Sequence, residues 1–166
     1  MNIKSITYPD MNNGLGCRVT LWVTGCPHHC PFCHNEELWD NETGRKFTEE
    51  DEEKIYEILK LPYMKGLTVS GGDPLAPYNR NDVMKFCSKV KTFFPDKDIW
   101  LYTGYQLEEI KEKPSMRPIL YFVDYIVDGL YDNNLRDISL KFRGSVNQTI
   151  WEKCDIATFK VSDLNN

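Results

Sequence analysis

The stretch TGCPHHCPFCHN, residues 24–35, sets Cys26, Cys30 and Cys33 within eight positions, half of the chain's six cysteines. Three thiols cannot all pair as disulfides. Thiolates are soft donors, and their close spacing selects zinc or iron–sulfur chemistry. Zinc needs a fourth ligand, which His28, His29 or His34 would supply in a Cys3His set. Zinc sites are usually assembled from two separated ligand pairs, however, and Cys17, Cys87 and Cys154 stand isolated. A [4Fe–4S] cluster held by three cysteines keeps one iron open for a small molecule, the same logic that leaves a free position in catalytic metal sites. Donor type and count favour the cluster over zinc. Pro27 and Pro31 disfavour a helix and leave the loop free to fold round a compact object.

Such a loop needs a scaffold, and the flanking sequence supplies one. Residues 18–24 (RVTLWVT) are β-branched and apolar, a strand that ends directly at Gly25-Cys26. Residues 66–70 (GLTVS) form a second strand, followed at once by Gly71-Gly72-Asp73-Pro74. A third, 98–102 (DIWLY), ends at Thr103-Gly104-Tyr105, and a fourth, 125–127, ends at Asp128-Gly129. Between them lie helices. Thr48-x-x-Asp51 is a capping start for a helix with Ile55, Ile58 and Leu59 on one face. Residues 81–94 carry Val83, Phe86, Cys87, Val90 and Phe94 at helical spacing, so Cys87 reads as a small core residue. A short helix spans 107–113, with a further turn after Pro118; signals beyond residue 130 are weaker.

Strands joined through helices require right-handed crossovers, which predicts an α/β fold with a mostly parallel sheet. Ligands of such sheets sit outside the carboxyl ends of the strands. The cysteine loop, GGDP, TGY and DG each follow a strand, so all four gather at one rim.

Composition bounds the remainder. A chain of 166 residues with 41% hydrophobic content is expected to form a single domain, 1–166, with a proper core. A net charge of −5 argues against a nucleic-acid partner, which needs clustered Lys and Arg. No run approaches the roughly 20 apolar residues of a membrane span, and the N-terminus lacks a secretory pattern. The expectation is a cytoplasmic protein whose thiols stay reduced.

The Cys-x3-Cys-x2-Cys loop with Phe32 before its last cysteine resembles the signature of the radical S-adenosylmethionine (SAM) superfamily, and Gly71-Gly72-Asp73-Pro74 resembles its GGEP-type motif. Aspartate here stands where many members have glutamate. The blocks DIWLYTGY, IVDGLY and FRGSVNQ look like those of one branch, the activases of the anaerobic ribonucleoside-triphosphate reductase, in the branch's order. The resemblance runs from residue 13 to residue 148.

That resemblance implies an incomplete, open (βα) barrel of the radical SAM type; a full eightfold barrel needs about 250 residues. It implies an oxidoreductase that reductively cleaves SAM at a [4Fe–4S] cluster. The resulting 5′-deoxyadenosyl radical would then generate a glycyl radical on the large subunit of the reductase. Cys26, Cys30 and Cys33 would ligate the cluster. Phe32, Cys33 and His34 would border the SAM adenine, and Gly71, Gly72, Asp73 and Pro74 would hold its methionine end. Asp128 and Gly129 would contact the ribose or methionine carboxylate, or simply form a turn. A low-potential donor such as flavodoxin would supply the electron. Tyr102, Tyr105 and Trp100 either line the rim or pack; Arg143 and Gln148 either meet the partner or stiffen the tail. His28 and His29 read as solvent-exposed loop residues, and Cys17 as structural. Alternatives are a radical SAM enzyme acting on a small molecule and, more distantly, a non-catalytic zinc-stabilised domain.

Overall fold

The computed structural model describes residues 1–165. Their strands form one eight-stranded sheet. In chain order these are β1 (Asn2–Asp10), β2 (Cys17–Val23), β3 (Arg45–Lys46), β4 (Met64–Gly71), β5 (Asp98–Tyr102), β6 (Tyr125–Asp128), β7 (Thr149–Asp155) and β8 (Thr158–Val161). Across the sheet the order is β3-β1-β2-β4-β5-β6-β7-β8. Three helices, α1 (Glu49–Leu59), α2 (Arg80–Phe93) and α3 (Leu107–Glu112), connect the inner strands.

The sheet is mixed, which corrects the expectation of a mostly parallel one. The four inner strands, β2, β4, β5 and β6, are parallel neighbours. The four outer pairings, β3–β1, β1–β2, β6–β7 and β7–β8, are antiparallel. Helical crossovers announce parallel strands in a sequence. The outer strands are reached through turns and through loops without an α-helix, such as residues 129–148 between β6 and β7, which leave no such signature.

Each inner strand alternates. Val19, Leu21 and Val23 of β2, Leu67 and Val69 of β4, Ile99 and Leu101 of β5, and Ile126 of β6 belong to the main core. Ile55, Ile58 and Leu59 of α1 and Val83, Phe86 and Val90 of α2 pack against them. Residues of the opposite parity are mostly polar or aromatic, among them Arg18, Thr20, Thr68, Ser70, Trp100 and Tyr102. A strand's period of two places these on the second face of the sheet. That face carries only a small apolar cluster, centred on Trp100, Val127 and Ile150.

The capping signal at Thr48 is realised. Its hydroxyl accepts from Asp51 N–H while the Asp51 carboxylate accepts from Thr48 N–H at 3.0 Å, satisfying donors that a helix start leaves free. Cys87 is fully buried on the apolar stripe of α2. No helix among the described residues is long and apolar enough to cross a membrane.

Candidate active site

The cysteine loop leaves β2 at Thr24 and is closed by two backbone bonds, Gly25 N–H to Leu38 O (2.7 Å) and Cys26 N–H to Trp39 O (2.9 Å). Within it Cys33 N–H donates to Cys30 O at 3.0 Å, so the last two cysteines share a turn. His29 and Phe32, the residues just before Cys30 and Cys33, adopt left-handed backbone with φ of 49° and 59°. Non-glycine residues occupy that region at an energetic cost, and such positions concentrate at functional sites.

The glycine turn after β4 docks edge-on to this loop. Gly72 N–H donates to Val23 O and Asp73 N–H to Gly25 O, both at 2.8 Å. A Cβ on Gly71 would stand 2.4 Å from Val23 O, and one on Gly72 would stand 2.4 Å from Gly25 O. The two turns therefore touch backbone to backbone, which only glycine permits. Among the described residues nothing donates to Gly72 O, and Gly71 O receives only a long contact from the Asn35 amide at 3.5 Å.

Cys26, Cys30 and Cys33 are free thiols, each partly exposed, and they line one cavity with Gly71, Gly72 and Asp73. Thr103 and Gly104 after β5, and Gly129 after β6, complete its walls. Four strand ends thus meet, as the carboxyl-end rule predicts. The cavity itself holds about 120 Å³. A second cavity of about 550 Å³ opens beside it and shares Cys33, Ser70, Tyr102, Tyr131 and Gln148 with it. Together they reach the size of cofactor sites, roughly 300–1,000 Å³.

Burial pushes the Cys26 thiol up to about 11, and burial also raises Cys30, with the Tyr131 backbone pulling it partly back. Bare, these are reluctant thiolates; coordination to a metal deprotonates a thiol outright. Among the described residues no three His, Cys, Asp or Glu side chains are grouped as they would be round one ion. A set of three soft thiol donors is the kind that iron–sulfur clusters take.

Known proteins agree. A family model described as a 4Fe-4S single cluster domain matches residues 12–151. An Enterobacteria phage T4 protein named anaerobic ribonucleoside-triphosphate reductase-activating protein is 44% identical over 93% of this chain and 96% of its own length. Proteins of the same name from Vibrio cholerae and Escherichia coli K12 are 44% and 40% identical, each over 86% of this chain and over 93% and 94% of their own. The chain belongs to the anaerobic ribonucleoside-triphosphate reductase-activating protein family. A 4Fe-4S domain sets aside the zinc-stabilised alternative.

The other residues that the family resemblance singled out fall into two groups. Gly71, Gly72, Asp73 and Gly129 line the cysteine cavity. Phe32, 72% exposed, and His34, also exposed, line the larger cavity instead, together with Cys33. Pro74 is buried behind the glycine turn. Asp128 is buried, and its carboxylate accepts from the first N–H of α3, at Leu107 (2.7 Å). Burial raises its pKa, and the Leu107 bond offsets only part of this. Cys17 opens β2 at the far end of the strand, paired with Met64.

Arg143 and Gln148 stiffen the tail. The Arg143 guanidinium donates to Gln148 O (2.6 Å) and Asn165 O (2.7 Å). Gln148 accepts from Gly144 N–H (2.9 Å) and donates to Gly129 O (3.0 Å), which ties FRGSVNQ to the DG turn. His28 departs from its expected exposure. It is half-buried, with Nε2 2.7 Å from Asp73 Oδ2. Nothing local announces this, because the two residues lie 45 positions apart.

Proposed function

We propose that this chain is the activase of an anaerobic ribonucleoside-triphosphate reductase. Cys26, Cys30 and Cys33 hold a [4Fe–4S] cluster, and the open iron is the seat of SAM. With both bound, the group supplies one-electron cleavage of the sulfonium to methionine and a 5′-deoxyadenosyl radical, which takes hydrogen from the Cα of a glycine in the reductase. The single observation that carries this reading is the convergence of three free thiols and the Gly71-Gly72 turn on one cavity.

The protein's own contribution is position and exclusion of water. The methionine ammonium of SAM is a donor and needs acceptors. The N–H groups of Gly72 and Asp73 are already engaged, and the carbonyls of Gly71 and Gly72 remain to receive it. The Asp73 side chain is fully occupied within the rim and holds the turn rather than the cofactor. Phe32 and His34 border the nucleoside from the larger cavity, Gly129 contacts the ribose or carboxylate, and Asp128 fixes that turn through α3.

The mixed sheet curls into an open, incomplete barrel with its polar second face inward, and the reductase's glycine loop enters across that face. A low-potential donor such as flavodoxin, in a reducing cytoplasm, serves the cluster at the low end of its range. The test is anaerobic reconstitution with iron and sulfide, then reduction with SAM present. The expected result is 5′-deoxyadenosine release that disappears in Cys30→Ala, and a glycyl radical signal when the reductase is added. Four bound irons with no nucleoside release from the wild type would sink the proposal.

A further inference from the structure

One side chain fastens the cysteine loop to two neighbouring rim turns. Asp73 is fully buried, and its carboxylate accepts from Leu75 N–H (2.7 Å), Thr103 Oγ1 (3.0 Å) and Gly104 N–H (2.9 Å) as well as facing His28 Nε2 at 2.7 Å. An ionised carboxylate has about four acceptor positions, so these partners use its capacity. His28 reaches it through a fitted slot. A Cβ on Gly104 would stand 2.5 Å from His28 Cδ2, so residue 104 has to lack one. Tyr105 closes another side of the imidazole, edge-on with ring centroids 4.6 Å apart. His29, its neighbour, is exposed and leans on Trp39 instead. The ring so wedged belongs to the three-residue bridge between Cys26 and Cys30.

We propose that His28 is a positioning residue: its hydrogen bond to Asp73 locks the cysteine loop onto the glycine turn, so that the cluster and the methionine-binding carbonyls keep one fixed separation. The inference rests on the activase reading above. Nε2 carries the hydrogen, because a carboxylate only accepts. The role requires an N–H at that point and nothing else of an imidazole. Glutamine meets this requirement, since its Nε2 lies as many bonds from the backbone as the histidine Nε2. Asparagine is one bond short, and alanine has no donor.

Two measurements on the full-length chain test the latch. In reduced, cluster-free protein, alkylation of Cys26 followed by mass spectrometry is expected to quicken about tenfold in His28→Ala and to stay near wild type in His28→Gln, the order of effect of one lost hydrogen bond. Exposed Cys154 serves as the internal control. In reconstituted protein, iron content is expected to persist in His28→Ala, while about tenfold more SAM is needed to change the electron paramagnetic resonance (EPR) spectrum of the reduced cluster; His28→Gln restores the wild-type response. His28→Asn takes the place of alanine if that variant does not fold. Equal Cys26 rates in all variants, or glutamine behaving as alanine does, overturns the latch. A wild-type cluster whose spectrum ignores SAM overturns the activase reading instead, and leaves the alkylation result to judge the latch alone.

Discussion

The two ends of the inner strands solve opposite problems with the same alternating sequence. At the amino end Arg18 is fully buried and every direction is filled. It pairs with Asp98 (2.6 Å), donates to Thr68 Oγ1 and Leu67 O (both 2.7 Å) and to Leu15 O (3.0 Å), and lies over the Trp100 ring. At the carboxyl end the strands stop in glycine turns, the thiols are only partly covered, and the Gly72 carbonyl has no donor among the described residues. One end is plugged by a buried ion pair, the other open. A sheet that carries its site at one edge needs both: a closed base fixes the strands, and only then can their far ends hold a ligand without collapsing onto it.

Arg18 offers the sharpest way to break that contrast. Removing one partner of a buried ion pair strands the other without compensation, at a cost of about 3–5 kcal/mol. Arg18→Met is therefore expected to lower urea stability by that amount, and the added change Asp98→Leu to recover part of it. Nucleoside release per folded molecule is expected to stay near wild type, because Arg18 lies away from the cysteine cavity. A variant that keeps its stability would show that the base is not the anchor. Gly72→Ala is the rim counterpart. Its Cβ would meet Gly25 O at 2.4 Å and push the two turns apart. Misplacement by about 1 Å costs on the order of 100-fold in rate. The expectation is a loss of that size in 5′-deoxyadenosine formation with iron content and unfolding midpoint little changed. Equal loss of iron would mean that the glycine turn supports the cluster rather than the cofactor.

The rim was more legible in the sequence than the base or the edges. The inner strands were foreseen to within about two residues at each end, because each carries β-branched residues and stops at glycine or aspartate. The capping box at Thr48 and the stripe of α2 followed from helical rules. β1 was invisible: NIKSITYPD buries only Ile3 and Asp10, and it is a strand because β2 offers it a partner. β7 and β8 likewise depend on pairing with β6 and with each other. The alternation of RVTLWVT was present, yet it read only as a strand. That Arg18 and Thr20 face a lightly covered side is a tertiary fact about which helices are missing there. His28 was obscured for a related reason, since a loop histidine gains meaning only when Asp73 is brought to it. Cluster ligands are spaced for chemistry, so their spacing survives in one dimension. Latches join separate loops and leave no local spacing.

The smallest expected effect sets an exposed ion pair on the rim side against the buried one at the base. Arg45, on β3 beyond the cysteine loop, forks onto Asp51 at the start of α1, with nitrogen–oxygen distances of 2.5 and 2.6 Å. The Arg45 bond holds the Asp51 carboxyl down at about 2, with the Thr48 backbone and hydroxyl helping against a modest burial cost. A depressed carboxyl contributes stability above its ordinary value of 3.8 and loses it as pH falls toward about 2. Arg45 is over half exposed, so solvent screening holds the pair to roughly 0.5–1 kcal/mol. Arg45→Ala should accordingly differ from wild type by that amount in urea midpoint stability at neutral pH, and the two curves should draw together as pH falls from 3.8 toward about 2. The Arg18 deficit should begin to narrow at a higher pH, because burial raises the Asp98 carboxyl and it takes up its proton first. A gap at Arg45 that is independent of pH would mean that the arginine packs rather than pairs, and the electrostatic difference between the two ends would then rest on the base alone.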